Sequence, residues 1–353
     1  MARASRKKSQ AVTIDAVARH AGVSAMTVSN VLNNTKSVRE TTRELVLRAV
    51  QDLNYTPNLA AKSLASAEVT RVGLLVGSDE YSFASSVLGG AVEATTNLGA
   101  QLLIRRVGFS DRTAVAQAVD SLIAAGIHAL VLPGLFAGML REQLAGAGLS
   151  LPVVSPSPGL SIDGVHCVRI CDETAAREMT GHLISLGHRR IGFVRAEKVH
   201  LVHWSRFAGF MAAHEEAGLP VDSSLVVTSP LSFHHGLNAA RELLDRPDRP
   251  TAIFASNDDT AGAVVALAHK LGLRVPEDIS VAGFDDSPLA VRMLPMLTTV
   301  RQPVADIARR ATELAIQLAR SSDDGRETSA EIVPHKIVER ETTAPPGTSA
   351  RSE

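Results

Sequence analysis

Three polar side chains stand where short apolar runs end, and their types suit recognition of hydroxyl groups. Asn257 follows the run AIFAS and Asp285 follows the run ISVAGF. Arg206 begins the sequence RFAGF at the start of a predicted helix. An amide, a carboxylate and a guanidinium are planar groups that can each hydrogen-bond to adjacent hydroxyls in pairs. Because open parallel sheets bind ligands at the carboxyl ends of their strands, we expect these side chains to line a small-molecule site.

A hydroxylated ring also has a C–H face, which needs an apolar surface to pack against. The aromatic candidates for that surface are Phe83, Trp204 and Phe233. The predicted small-molecule site therefore comprises Phe83, Trp204, Arg206, Phe233, Asn257 and Asp285.

Each polar candidate has a purely structural alternative. Asn257 is a good helix N-cap, Asp285 can form a turn before Ser287-Pro288, and Arg206 can belong to an ion pair. The residues alone leave both interpretations open.

Metal binding and catalysis find little support in the sequence. The pairs His200 and His203, and His234 and His235, lack a third ligand at suitable spacing. The two cysteines favour core packing and, being too few for a disulfide framework, a reducing compartment. Neither G-x-S-x-G nor G-x-x-x-x-G-K occurs in the chain. We therefore predict no catalytic residues, no bound metal and no cofactor.

The first element that positions polar chemistry is a pair of short helices between Thr13 and Asn34. Thr13 and Ser24 can cap the two helices, and Gly22 permits the positive φ that a helix C-terminus often needs. Apolar residues recur at helical spacing in both helices, with Val28, Val31 and Leu32 facing inward in the second. The opposite face of the second helix carries Ala25, Met26, Ser29, Asn30 and Asn33.

Such an arrangement is a helix-turn-helix, whose second helix fits the major groove of DNA. Ala25 and Met26 can make only apolar contacts, for instance with a thymine methyl group, whereas Asn30 can pair with adenine. The alternative is an ordinary helical hairpin. A third helix, predicted from Glu40 to Leu53, places Leu45, Val46, Ala49, Val50 and Leu53 on one face and completes a three-helix core with Tyr55.

Longer motifs decide between these alternatives. The segments Val17–Ser24 (VARHAGVS), Met26–Asn33 (MTVSNVLN), Thr42–Arg43 and Leu53–Asn58 (LNYTPN) resemble the DNA-binding headpiece of the lac-repressor (LacI/GalR) family. The resemblance implies DNA contacts from Thr13, Ser24, Ala25, Met26, Thr27, Ser29, Asn30, Asn33, Tyr55, Asn58, Ala61 and Leu64. It also implies that the family's ligand-binding arginine, asparagine and aspartate are matched by Arg206, Asn257 and Asp285.

The segment Leu59–Ala65 is too short to form a stable isolated helix in water. The resemblance implies a hinge helix that orders on DNA, enters the minor groove beside its dimer mate and inserts Leu64 as a wedge between base pairs. Leu64 resting on the rest of the protein is the alternative.

Charge is distributed unevenly along the 353 residues, although the formal net charge is only −1. The chain through Ala65 carries ten Lys or Arg residues against four Asp or Glu residues, so the remainder is acidic. A basic N-terminal segment suits a polyanionic partner. No apolar run reaches the ~18 residues of a membrane span, and the basic N-terminus is not followed by the apolar region of a secretory signal.

From Arg71 onward, short apolar strands alternate with helices, which indicates parallel sheets covered on both faces. The number of units favours two Rossmann-like sub-domains. The resemblance implies a fold in which a three-helix helix-turn-helix headpiece with a hinge helix precedes a two-lobed α/β, type I periplasmic-binding-protein-like body. We expect the chain to cross between the lobes near Ile170–Asp172, Arg301–Pro303 and Ala330–Pro334.

The predicted domains are a headpiece (1–56), a hinge helix and linker (57–68), a two-lobed ligand-binding and dimerisation domain (69–343) and a disordered tail (344–353). Together these features predict a cytoplasmic bacterial homodimer that binds a palindromic operator in double-stranded DNA and acts as a repressor, without membrane association. A sugar, polyol or sugar acid between the lobes would modulate its DNA affinity as the effector. The rival interpretation is a ligand-binding protein of the periplasmic class without gene regulation.

Overall fold

The chain divides into two compact units between Val69 and Thr70 in the structure, a computed structural model. It describes residues 13–33, 38–53, 55, 69–77, 82–108, 111–145, 149–198, 200–321 and 328–347. The predicted hinge helix, with Asn58, Ala61 and Leu64, lies outside these residues.

Among its described residues, the first unit contains three helices: α1 (Ile14–Ala21), α2 (Ala25–Asn33) and α3 (Glu40–Asp52). The Thr13 hydroxyl caps α1 by accepting the Ala16 N–H at 3.3 Å, and Gly22 ends it with φ of +65°. The Ser24 hydroxyl accepts the Thr27 N–H at 3.1 Å at the start of α2. The predicted caps and turn are confirmed.

The core of this unit is built from Val17, Val28 and Val46, all fully buried. The predicted inward face of α3 is wrong at Leu45, which is 51% exposed. Successive helical residues are about 100° apart, so Leu45 lies at the edge of the face that Val46, Ala49, Val50 and Leu53 turn toward the core. Ala25, expected on the outer face of α2, is half-buried against the core instead.

The second unit contains two six-stranded sheets, with strand orders β11-β5-β4-β3-β1-β2 and β12-β10-β9-β8-β6-β7. All pairings are parallel except that of β12 with β10. The strands are β1 (Arg71–Gly77), β2 (Gln101–Val107), β3 (Ala129–Val131), β4 (Val153–Pro156), β5 (His166–Arg169), β6 (Ile191–Arg195), β7 (Val226–Thr228), β8 (Ala252–Ala255), β9 (Ser280–Asp285), β10 (Thr298–Arg301), β11 (Ala330–Ile332) and β12 (Lys336–Val338).

Helices cover both sheets. They are α4 (Ser82–Leu98), α5 (Arg112–Ala124), α6 (Gly134–Met139), α7 (Arg141–Ala145), α8 (Asp172–Ser185), α9 (Val202–Glu216), α10 (Phe233–Leu244), α11 (Asp258–Lys270) and α12 (Val304–Arg320). Helix α4 packs against α12, α8 against α9, and α10 against α11. We call the sheet containing β1, with α4–α7 and α12, the first lobe, and the sheet containing β6, with α8–α11, the second lobe.

Three connections join the lobes, as predicted. Residues 170–171 lead from β5 to α8, residues 302–303 from β10 to α12, and residues 333–335 from β11 to β12. The third connection begins after Ile332, because Ala330–Ile332 forms β11 in the first lobe.

The C-terminal tail differs from expectation. The Ala344 carbonyl accepts hydrogen bonds from His188 Nε2 at 2.9 Å and from the Ser280 hydroxyl at 3.0 Å. The prediction of disorder from residue 344 is therefore wrong as far as Gly347, because these backbone groups are held by the second lobe. Within the described ranges, no helix is both long and apolar enough to cross a membrane.

Candidate functional site

A cavity of about 190 Å³ lies between the lobes of the second unit, at the carboxyl ends of strands from both sheets. The first lobe contributes the end of β1, the start of α4 and the loops after β3 and β4. The second lobe contributes the loops after β6, β7, β8 and β9, and Gln302 comes from the connection between β10 and α12. This is where open parallel sheets bind ligands.

Arg206 reaches the cavity from the second turn of α9 and is 4% exposed. Its Nε donates to Asp172 at 2.9 Å, and its Nη2 lies 3.8 Å from Asp285 Oδ1. A further N–H donates to the Ser256 carbonyl, and the guanidinium carbon lies 3.6 Å from the centroid of the Phe284 ring. Arg206 is therefore both a wall of the cavity and a buried ion-pair partner.

Asn257 is likewise a cap and a wall residue. Its Oδ1 accepts the Thr260 N–H at 3.0 Å as the N-cap of α11, and its Nδ2 donates to the Leu231 carbonyl at 3.2 Å. The structural alternative considered for Asn257 is thus realised, and it does not exclude contact with a ligand because the side chain also lines the cavity.

Asp285 lies at the end of β9 with a φ of +114°, in the left-handed region. Its Oδ1 accepts a 2.6 Å hydrogen bond from Gln302 Nε2. Burial raises the pKa of Asp285 to about 7, while the charge of Arg206 and the hydrogen bond from Gln302 act in the opposite direction. The carboxylate therefore titrates near neutrality.

Gln302 connects the two lobes across the cavity. Its Nε2 binds Asp285 in the second lobe, and its Oε1 accepts the Ser157 hydroxyl of the first lobe at 3.4 Å. Sequence reasoning missed Gln302 because the connection that carries it contains no recognisable motif.

Two neighbouring acids differ in role. Asp258 is 1% exposed and accepts hydrogen bonds of 2.6 Å from the Thr299 hydroxyl and the Ser287 N–H. Burial, and then the charge of Asp285, raise the pKa of Asp258. Asp259 instead lines the cavity, and burial raises its pKa. Asp258 organises the turn after β9, whereas Asp259 faces the space that a ligand would fill.

Of the three aromatic candidates, only Phe83 lines the cavity. Trp204 is 51% exposed and packs edge-on against His203, and Phe233 is 43% exposed. Trp204 precedes Arg206 by two residues in α9, which places it about 200° away around the helix. Trp204 and Phe233 are therefore not brought to the predicted small-molecule site.

The histidines do not assemble a metal site. His200 lines the cavity, and burial, together with the charges of Arg206 and His203, lowers the pKa of His200 to about 4. His203 contacts the Ala196 carbonyl and, at 2.8 Å, Arg195. In the described part of the chain, no group of three His, Cys, Asp or Glu residues could hold a metal ion.

In the first unit, the outer face of α2 presents Met26, which is 71% exposed. Ser29 and Asn30 are half-buried and already take part in interactions. Tyr55, predicted to contact DNA, packs against the three-helix core. The side chain of Asn33 lies outside the described residues, as do Asn58, Ala61 and Leu64.

Two family models match this architecture: bacterial regulatory proteins, lacI family, over residues 13–58, and a periplasmic binding protein-like domain over residues 180–343. The transcriptional regulator DegA of Bacillus subtilis (strain 168) is 33% identical over 342 residues, covering 94% of this chain and 98% of that protein. The regulator GalR of Escherichia coli (strain K12) is 33% identical over 312 residues, covering 87% and 89%.

Solved structures agree with both units. A complex of the transcriptional regulator CelR with cellobiose superposes with a TM-score of 0.69 at 27% identity, covering 94% of this chain and 99% of that one. A lac repressor dimer bound to operator and the anti-inducer ONPF gives 0.69 at 26% identity, covering 95% and 100%.

Proposed function

The chain belongs to the LacI family of bacterial regulatory proteins, and from that membership we propose that it is a homodimeric, DNA-binding transcriptional repressor. It binds a palindromic operator through the helix-turn-helix. A small hydroxylated molecule held between the lobes changes its affinity for that operator. The observation that carries the proposal is one chain containing both a capped helix-turn-helix and a polar cavity between two lobes.

Base contacts are assigned to α2. Met26 offers an apolar surface to a thymine methyl group, and Asn30 offers an amide to adenine. Backbone and phosphate contacts are assigned to Thr13, Ser24, Thr27 and Ser29, which lie on or beside the two helices. The segment 57–68 is proposed as the hinge, with Leu64 as the wedge in the minor groove.

The ligand is assigned to Arg206, Asn257 and Asp285, with Phe83 as the apolar plate. The carboxylate and the amide come from different strand ends of the second lobe, and Phe83 faces them from the first lobe. A ligand that touches both lobes stabilises one arrangement of them. By linkage it then changes operator affinity, and the operator changes ligand affinity by the same factor.

Several relatives support the two partners. A lac repressor structure contains operator DNA, and a CelR structure contains cellobiose. DegA and GalR are named as transcriptional regulators, and we propose no catalytic activity for this chain. A ligand-binding protein without gene regulation, the rival interpretation, leaves the helix-turn-helix without a role. The proposed site of action is the bacterial cytoplasm.

Selection of DNA from a random pool by the full-length chain tests this function. We expect a single palindromic consensus whose affinity falls steeply with salt, because phosphate contacts release counterions. The variant Met26→Ala should alter the base preference at one position in each half-site, because Met26 is assigned a contact with a base. Recovery of no consensus, or of a non-palindromic one, contradicts the proposal of a dimeric operator-binding regulator.

A further inference from the structure

The polar side chains that donate hydrogen bonds in the wall of the cavity already have partners within the protein. Arg206 donates to Asp172 and to the Ser256 carbonyl, and it faces Asp285 at 3.8 Å. Its flat face is covered by Phe284. The charge of Arg206 is thus already offset by Asp172 and faced by Asp285, so an incoming carboxylate or phosphate would compete with carboxyl groups that are in place.

Each of the two amides of the wall already uses one of its two N–H groups within the protein. Asn257 Nδ2 donates to the Leu231 carbonyl at 3.2 Å, and Gln302 Nε2 donates to Asp285 at 2.6 Å. The second N–H of each amide is an uncharged donor, which can hydrogen-bond to a ligand but does not offset the charge of an anion.

Acceptors, by contrast, remain available. Glu197, Asp259 and Asp285 bring three carboxyl groups to the second-lobe side, and among the described lining residues Arg206 is the one cation. Arg206 is already offset by Asp172, whose side chain is 2% exposed. His200 is neutral at pH 7, because burial and the charge of Arg206 lower its pKa to about 4. The second-lobe side of the cavity is therefore acidic and rich in acceptors.

The first-lobe side has the opposite character. Its described lining residues are hydrocarbon or backbone surface, as at Val76, Phe83, Val87, Leu135 and Phe136, with Ser157 as the polar exception. The Ser157 hydroxyl already donates to Gln302. A ligand bridging the lobes must accordingly have two unlike faces.

We infer that the effector is a non-anionic molecule with a donor-rich face of hydroxyl or amine groups toward the second lobe and an apolar face toward the first. Aryl or alkyl glycosides, and amines that bear an apolar ring, belong to this class, whereas sugar acids and phosphates are excluded. This inference rests on the proposed function for the location of the ligand, and it narrows the sugar, polyol or sugar acid expected from the sequence. Anions are excluded by charge, because an anion would meet Glu197, Asp259 and Asp285 beside a single guanidinium that Asp172 and Asp285 already offset.

Two sets of matched probes test the inference on the full-length chain by calorimetry at pH 7.5. The first set is benzylamine, benzyl alcohol and benzoate, which share a ring and differ in the head group. The second set is glucose, galactose and mannose, each as the free hexose, phenyl glycoside, uronic acid and 6-phosphate. We expect benzylamine and benzyl alcohol to bind at least about tenfold more tightly than benzoate. The best hexose scaffold should bind more tightly as its phenyl glycoside and undetectably as its acid or phosphate.

A pair of variants tests whether a carboxylate in the cavity wall causes the tighter binding of the amine. Asp259→Asn removes one carboxylate from the wall and should weaken benzylamine by about tenfold while changing benzyl alcohol little, because only the amine pairs with the charge. Glu242→Gln removes an exposed carboxylate from α10 in the same lobe and should change neither.

Three results overturn the inference: a uronic acid or phosphate that binds as tightly as its parent hexose, a phenyl glycoside weaker than its parent, or no binding by any donor-bearing probe. Operator release is measured in parallel. A probe that binds as expected without changing DNA affinity contradicts the proposed regulation and leaves the ligand class standing, so the two failures are distinguishable.

Discussion

Ser157, Asp285 and Asp286 are the non-glycine residues with left-handed backbone in the ranges that the structure describes. Ser157 and Asp285 line the cavity from opposite lobes. Such a conformation costs on the order of 1–3 kcal/mol per residue and persists where the surrounding structure imposes it. Its occurrence on both sides of the cavity supports a ligand role for this edge of the two sheets.

Asp285→Asn tests that role without disturbing the backbone, because asparagine tolerates positive φ better than most residues. The amide keeps an acceptor for Gln302 but loses the charge. We expect the ligand concentration needed for operator release to rise about tenfold or more, since a hydrogen bond to a charged group contributes roughly 1.5–3 kcal/mol. Operator titrations with and without ligand measure this. Operator affinity without ligand should stay within a few-fold of wild type; a collapse of that affinity would make Asp285 a structural residue.

The raised pKa of Asp285 predicts that the stability of the protein depends on pH. Burial raises the pKa of Asp285 to about 7, well above its unfolded value, so the folded protein binds the proton more tightly than the unfolded chain. Ionisation in the folded state is therefore unfavourable, and the contribution of Asp285 to stability falls as pH rises from about 4 to about 7. Arg206, Asp172 and Asp259 act on the same carboxyl group.

Urea unfolding of wild type and Asp285→Asn across pH 4–8 checks this. The difference between the two free energies of unfolding cancels the titration of the remaining groups, including His200, to first order. The free energy of unfolding of the variant, relative to that of wild type, should increase as pH rises through that window and level off above about pH 7. A difference that does not change with pH contradicts the assignment.

At the scale of single residues, the sequence predicted that Arg206, Asn257 and Asp285 line the small-molecule site. Polar side chains beyond the carboxyl ends of parallel strands converge whatever their partners are. Trp204 failed because helical phase, fixed by the true start of α9 at Val202, turns it away from the cavity. Asp259 and Gln302 were missed since their roles depend on contacts between the lobes, which no local pattern encodes.

Among the elements, strands marked by an apolar run were predictable, such as AIFAS for β8, and five short strands were not. The five strands that were not foreseen are β5, β7, β10, β11 and β12. These strands have three or four residues, too few for a periodicity to show. Their sheets hold them through pairing with longer neighbours, which is a tertiary effect.

Close helix packing yields a prediction at this scale. A Cβ at Gly90 of α4 would overlap the Ala305 carbonyl of α12, whereas one at the adjacent Gly89 would meet nothing within 4 Å. Gly90→Ala should therefore lower the free energy of unfolding by about 1–3 kcal/mol or more. Gly89→Ala should raise it by roughly 0.5–1 kcal/mol, because glycine is a poor helix former. Thermal and urea unfolding of the pair measure both, and equal effects would show that α4 and α12 can separate freely.

The connection between β10 and α12 gives a second prediction. Gln302→Leu keeps a similar volume but removes both bonds across the cavity, leaving Asp285 without its 2.6 Å donor. We expect a loss of about 1–3 kcal/mol of stability, the penalty for an unsatisfied buried acceptor, and operator affinity that responds less to ligand. Ser157→Ala removes only the 3.4 Å bond and is the milder control. If Ser157→Ala lowered stability and the response to ligand more than Gln302→Leu did, the hydrogen bond between Gln302 and Asp285 would not be the main contribution.

The whole molecule is two compact units of unlike charge joined near Val69. The segment through Ala65 is basic and the remainder is acidic. Attraction for a polyanion therefore belongs to the first unit, whereas the ligand cavity lies in the second. The α1–α3 unit has a hydrophobic cluster of its own, and the two-lobed unit has three. Each unit can therefore keep its fold without the other.

A chain beginning at Thr70 tests this separation. It should unfold in one cooperative transition at nearly the temperature of the same unit in the full chain, because the buried clusters of both lobes remain intact. It should bind the matched aryl probes with unchanged affinity and show no operator binding at any salt concentration, since the basic segment and α2 are gone. Calorimetry with the probes and gel shifts at two salt concentrations supply the measurements. Residual, sequence-specific operator binding would place a DNA contact in the two-lobed unit, and loss of probe binding would mean that the first unit helps to shape the cavity.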